Sequence, residues 1–216
     1  MKANAQLEPD TTHASSVLGR WAALAVCGIG VAYVPVLAAA LVTLGVSVPI
    51  VDPFLAVMES LTLTSAVLMV VLMAAINDRA RGEQRVHGAI GMAFMELFAG
   101  TTCVVHFVQL TSNRQLGSRG LVWPSTSYAA ELVAWNLFLG LALIAAAQVF
   151  TRGARERLVS RTLLLSGLLC VAGVIGPLVG HMRLQVVGIV GYALVLPVAC
   201  FLLAAHFDHE MTPAAP

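Results

Sequence analysis

Charge is scarce in these 216 residues: 11% are Asp, Glu, Lys or Arg, where a soluble domain carries about 25%. That shortage excludes water as the main solvent of the chain. Lysine is rarer still, with Lys2 standing against eleven arginines. No basic block or aromatic-interleaved basic patch is present, so nucleic acid is excluded as a partner, and a net charge of +1 adds nothing about others. The four cysteines, Cys27, Cys103, Cys170 and Cys200, fall one each in four separate apolar runs without a CxxC. This excludes a disulfide framework and a zinc knuckle and leaves them as small apolar packing residues. No GxSxG, P-loop, dinucleotide fingerprint, haem-attachment or HExxH motif occurs, so no cofactor and no metal is expected. His206, Asp208, His209 and Glu210 crowd the C-terminal end and are read as a solvated tail rather than a metal site.

What the sequence does have is apolar length: 59% of residues are hydrophobic and the mean hydropathy is +0.88. Six apolar runs stand out, at 21–44, 53–76, 87–110, 124–150, 162–179 and 185–206, each able to cross a bilayer core of about 30 Å. The fold class predicted is an all-α, polytopic transmembrane bundle of six helices. A polar leader (1–20) precedes it and a short tail (207–216) follows. The first run is about 24 residues, past the roughly 7–15 of a signal-peptide core, and is read as a retained span. Arginine placement orients the bundle. The leader and the loops of residues 77–86 and 151–161 hold nine positive charges, and the opposite side holds Arg114, Arg119 and Arg183. By the positive-inside rule both termini are expected in the cytoplasm.

Local signals fit this layout. Asp52-Pro53 offers a helix cap followed by proline at the first helical position, and Trp123-Pro124 repeats the device with an interfacial aromatic. Gly176 and Gly180 form a GxxxG, and Gly188 and Gly191 lie about one turn apart. Such small-residue faces let helices five and six approach, or let a second chain dock to form a homo- or hetero-oligomer. Gly88 and Gly91 are read as packing residues. Pro177 and Pro197 are candidate hinges.

The stretches DPFLAVMESLTLTSAVLMVVLMAAI, HFVQLT, WPSTSYAAELVAWNLFLGLAL and GYALVLPVACFLLA resemble those of bacterial multi-pass, six-helix inner-membrane proteins of no known activity. The resemblance spans most of residues 51–204. It implies an inner-membrane location with the lipid bilayer as surroundings, and it transfers no catalytic residue.

An ionisable side chain within hydrocarbon costs about 2.5–3.5 kcal/mol even on mild insertion scales and demands a role. Four are present: Glu59, Glu96, His106 and Glu131. At 1.5 Å rise per residue, Glu59 lies about 9 Å inside the start of helix two, His106 about 6 Å from the outer end of helix three, and Glu131 roughly 10 Å into helix four. Three helices thereby bring a titratable group to similar depth. Glu96 lies about 14 Å from the cytoplasmic end of helix three, near the midplane, with Cys103 on its face and His106 beyond. The expected site is an outward-opening polar pocket of Glu59, Thr62, Glu96, Cys103, His106, Glu131, Trp135 and Asn136 between helices two, three and four, rimmed by His181 and Arg183. Three roles fit such a pocket. The first is transport or sensing of a small molecule or ion coupled to carboxylate protonation. The second is a membrane-embedded enzyme using His106 and one glutamate on a lipid or apolar substrate. The third is a non-catalytic subunit or scaffold.

Overall fold

In a bilayer every backbone polar group must be satisfied within the chain, so long apolar segments with few charges become helices. The computed structural model describes residues 8–45, 50–117 and 122–211, and among these every regular element is helical. Six helices are long and apolar enough to span a membrane. They are α1 (Glu8–Leu44), α2 (Phe54–Arg79), α3 (Gln84–Leu116), α4 (Thr126–Ala147), α5 (Gly153–Leu178) and α6 (Met182–Met211). The chain is a multi-pass integral membrane protein. Lys2 and Arg119, two of the charges used to orient it, lie outside the described residues.

Several boundaries differ from the sequence reading for identifiable reasons. The polar leader is already helical from Glu8, so α1 reaches well beyond the apolar run. Ser125 caps α4, its Oγ accepting from the Tyr128 amide at 3.2 Å, which leaves Pro124 outside the helix. Asp52 does act at the start of α2, where its Oδ1 accepts from the Ala56 amide at 3.2 Å. The regular run of α5 stops at Gly173 and resumes over Ile175–Leu178. Pro177 has no N–H to offer the carbonyl four residues earlier.

Association of apolar helices in lipid depends on close approach and polar contacts rather than on expulsion of water. Gly140 of α4 and Gly167 of α5 meet so closely that a Cβ on Gly167 would stand 2.6 Å from the Gly140 carbonyl oxygen. Gly188 and Gly191 both pack on α5, against Gly173 and against Ser166 and Cys170. Gly88 is packed on Asn77 and Gly91 on Met73. At Gly180, the second member of the GxxxG, a Cβ would meet nothing within 4 Å, and the residue turns the chain with φ +72°. The core is filled by Phe98, Phe207, Met73, Ile76 and Met95. At the end where α2 finishes, Arg79 pairs with Glu210 of α6 and lies 3.0 Å from His206 Nε2. Ser16 of α1 donates to the same Glu210 at 3.5 Å, and Arg20 pairs with Asp208 at 3.1 Å. Residues 207–211, which read as part of a tail in sequence, form the last turn of α6, fastened to α1 and α2.

Candidate functional site

At the opposite end of α2 from Arg79, three of the four intramembrane ionisable groups meet. His106 is buried on α3 at 5% exposure, with a carboxylate at each ring nitrogen. Nδ1 contacts Glu59 Oε2 of α2 and Nε2 lies 2.6 Å from Glu131 Oε1 of α4. Among the described residues no arginine or lysine pairs with either glutamate. The neighbouring charge pair is Asp52 with Arg114 at 2.6 Å, which ties the start of α2 to the end of α3 at the exposed rim.

This arrangement constrains protons. A hydrogen bond needs one proton between its two heavy atoms, so two N···O contacts need two protons. They can both sit on the imidazole, facing two carboxylates, or one can move to a glutamate. In either case the triad carries a net charge of −1. The second oxygen of Glu131, Oε2, is buried and has no hydrogen-bond partner. It is the place for a third proton, which makes the triad neutral.

Further unpartnered polar atoms lie one turn away. Thr102, fully buried and four residues before His106, leaves its Oγ without a partner, and Trp135, four residues after Glu131, leaves its indole N–H without one. Trp135 borders a cavity of about 320 Å³ between α1, α2, α4 and α6, whose walls include Tyr33, Thr62, Ser65, Tyr192 and Pro197. Among the described residues no charged side chain lines it. Thr62 lies three residues after Glu59 and Trp135 four residues after Glu131, so the triad stands about one helical turn from this wall.

The backbone around this region departs from α geometry three times. Wider π-turns occupy Gln109–Asn113 in α3, Val133–Phe138 in α4 and Val190–Val195 in α6. The first begins three residues after His106, the second carries Trp135, and the third carries Tyr192. Such turns recur at functional sites because one extra residue redirects the side chains around it. The Trp135 ring, so placed, stands 5.0 Å from Tyr192 and 5.0 Å edge-on from Phe98.

Of the residues expected in the pocket, Glu59, His106 and Glu131 converge, and Thr62 and Trp135 border the adjoining cavity. Glu96 does not join them. It is exposed on the side of α3 that carries Leu97 and Gly100. The buried face of α3 runs through Thr102 and His106, and six residues place Glu96 about 120° from Thr102. Cys103 is half-buried at the edge of the apolar core. Asn136 sits at the junction of α4, α5 and α6, donating to the Leu132 carbonyl at 3.1 Å, with its Oδ1 over Gly188. His181 and Arg183 are exposed and make no ion pair among the described residues. Sequence reasoning omitted α1 and α6 as cavity walls, and with them Tyr33 and Tyr192, and it omitted Ser65 on α2. A buried threonine one turn before His106 and two tyrosines inside apolar runs were the available signals. No group of three or more metal-ligating side chains occurs among the described residues.

No family model, no curated protein and no solved structure matches the chain.

Proposed function

We propose that the protein moves or senses a small solute or ion across the membrane, and that it does so by protonating and deprotonating the Glu59–His106–Glu131 triad. One observation supports this above others: a single imidazole is held at both nitrogens by carboxylates from two other helices. A proton added at Glu131 Oε2 changes the charge shared by α2, α3 and α4, so protonation and helix packing are coupled. A net negative charge inside hydrocarbon is costly, and either a proton or a cation relieves it. The Arg79–Glu210–His206 contacts fasten the other end of α2 to α6. Closure at one end with a cavity towards the other is what a protein that alternates its access needs.

The bilayer is the cell's inner membrane in this reading, with the Arg79 end and both termini in the cytoplasm and the triad in the outer half. Both nitrogens of His106 are engaged by carboxylates, which leaves no ring lone pair for a substrate. Acid–base catalysis on a lipid is therefore the weaker reading. A scaffold role predicts that the triad is dispensable.

The test is proton movement in proteoliposomes carrying an internal pH dye, after an imposed pH step. Wild type is expected to move protons, and Glu131→Gln and His106→Asn are expected to do so at least tenfold more slowly while remaining folded. Equal rates for wild type, both variants and empty liposomes would defeat the proposal.

A further inference from the structure

The geometry points to a lipophilic monovalent cation, such as an aryl or alkyl ammonium, as the ligand of the cavity between α1, α2, α4 and α6, bound in exchange for the third proton of the triad. This rests on the protonation reading above and adds the class of ligand.

Three observations select it. The walls are mostly aliphatic, with Val26, Ile29, Leu37 and Met69 among them, so the body of the ligand must be apolar. The volume of about 320 Å³ lies at the lower end of the range for small-molecule sites, so one molecule of modest size fits. The head group is chosen by charge. The triad holds −1 with its two hydrogen-bonding protons, no basic side chain among the described residues lines the cavity, and the lining residues Thr62 and Trp135 stand about one turn from Glu59 and Glu131. An anion would be repelled there. A cation gains the field of the triad and the faces of Tyr33, Trp135 and Tyr192, since aromatic rings attract cations most when water is excluded.

Among the described residues the titratable groups in contact with His106 are Glu59 and Glu131; Tyr33 lines the adjoining cavity, and Tyr128 lies three residues before Glu131 on α4. The Asp52–Arg114 pair compensates its own charge at the rim. The triad thus lacks a single positive charge, which one proton at Glu131 Oε2 or one monovalent cation supplies. Balance is simple: one cation enters as one proton leaves, and no covalent bond changes.

The experiment uses the full chain in nanodiscs of zwitterionic lipid with three probes that share one apolar body: 4-phenylbutyltrimethylammonium, 4-phenylbutanol and 4-phenylbutyrate. Binding is followed by calorimetry, and proton release by a dye in weak buffer. The quaternary ammonium is expected to bind saturably and at least tenfold more tightly than the carboxylate. In acid it should release close to one proton per cation. Its affinity should rise as pH rises, by up to tenfold per unit, until no proton remains to displace. Glu131→Gln is expected to remove the proton release while leaving 4-phenylbutanol binding unchanged. Ala193→Phe, which fills the cavity, is expected to weaken all apolar probes. Equal or tighter binding of 4-phenylbutyrate would overturn the proposal, as would cation binding that neither variant alters. Proton movement in proteoliposomes with no cation binding would overturn the ligand class and leave the protonation reading standing. Cation binding with no proton release at any pH would overturn the exchange.

Discussion

His106 Nε2 and Glu131 Oε1 stand 2.6 Å apart, joining α3 to α4, while the same ring's other nitrogen joins α3 to α2 through Glu59. The imidazole is therefore a three-helix junction as well as a titratable group, and the two carboxylates differ in setting. The Glu59 side chain is 5% exposed and that of Glu131 is 16% exposed with one oxygen unpartnered.

That difference predicts a division of labour between the glutamates. Glu59→Gln is expected to reduce both thermal stability and proton movement, because it disturbs the more buried contact. Glu131→Gln is expected to cost little stability and to slow proton movement at least tenfold. The double variant Glu131→Gln/His106→Asn is expected to be no slower than His106→Asn alone, since contacts that act as a unit are non-additive. Thermal unfolding in detergent, beside proteoliposome rates, checks both. Additive losses would mean that the two residues act separately.

Packing makes an independent prediction at Gly188. A Cβ there would fall 2.0 Å from Asn136 Oδ1 and 3.2 Å from the Gly173 Cα. Neither the buried asparagine nor the facing backbone can retreat freely. Gly188→Ala is expected to cost about 1–3 kcal/mol, seen as a fall in unfolding temperature. Adding Asn136→Ala should recover part of the loss, because it removes the atom that the new methyl meets.

The spans were legible because hydropathy is a property of single segments. The depth of each ionisable residue could also be derived from helical rise, and that is why Glu59, His106 and Glu131 were grouped before their contact was visible. Rotation was harder to read. Glu96, Cys103 and His106 form a plausible polar stripe on a helical wheel, but the buried side of α3 is set by what packs on it, and Gly91, Met95 and Thr102 turn that side away from Glu96. Cavity walls were the least legible. Tyr33 and Tyr192 come from helices at opposite ends of the sequence, and the π-turn that carries Tyr192 has no sequence signature.

The exposed placement of Glu96 gives a test that opposes its depth in the chain. A carboxylate at such a depth on an outer helix face is a burden in lipid, and it contacts neither His106 nor the cavity. Glu96→Gln is expected to leave proton movement within about twofold of wild type, and Glu96→Leu to match or raise its thermal stability. Loss of proton movement in Glu96→Gln, with folding intact, would place this residue on the proton path.

The far end of the bundle carries the last prediction. Arg79 is held by Glu210, lies beside His206, and packs over the Phe207 ring at 5.3 Å, so a single guanidinium joins α2 to α6. Its side chain is 16% exposed and that of Glu210 is 31% exposed, so the pair is partly screened by solvent. Its loss should therefore cost about 1–2 kcal/mol rather than the larger sum expected of a fully buried pair. Arg79→Gln and Glu210→Gln are expected to lower the unfolding temperature by several degrees. They are also expected to raise the reactivity of a cysteine placed at Ser16 towards a water-soluble maleimide, because Ser16 is covered in part by Glu210. If these contacts close the end opposite the triad, the same variants should move protons faster than wild type while leaving the triad's dependence on Glu131 intact. Variants that were destabilised yet unchanged in both labelling and proton movement would make the Arg79 cluster a fastening of the fold alone.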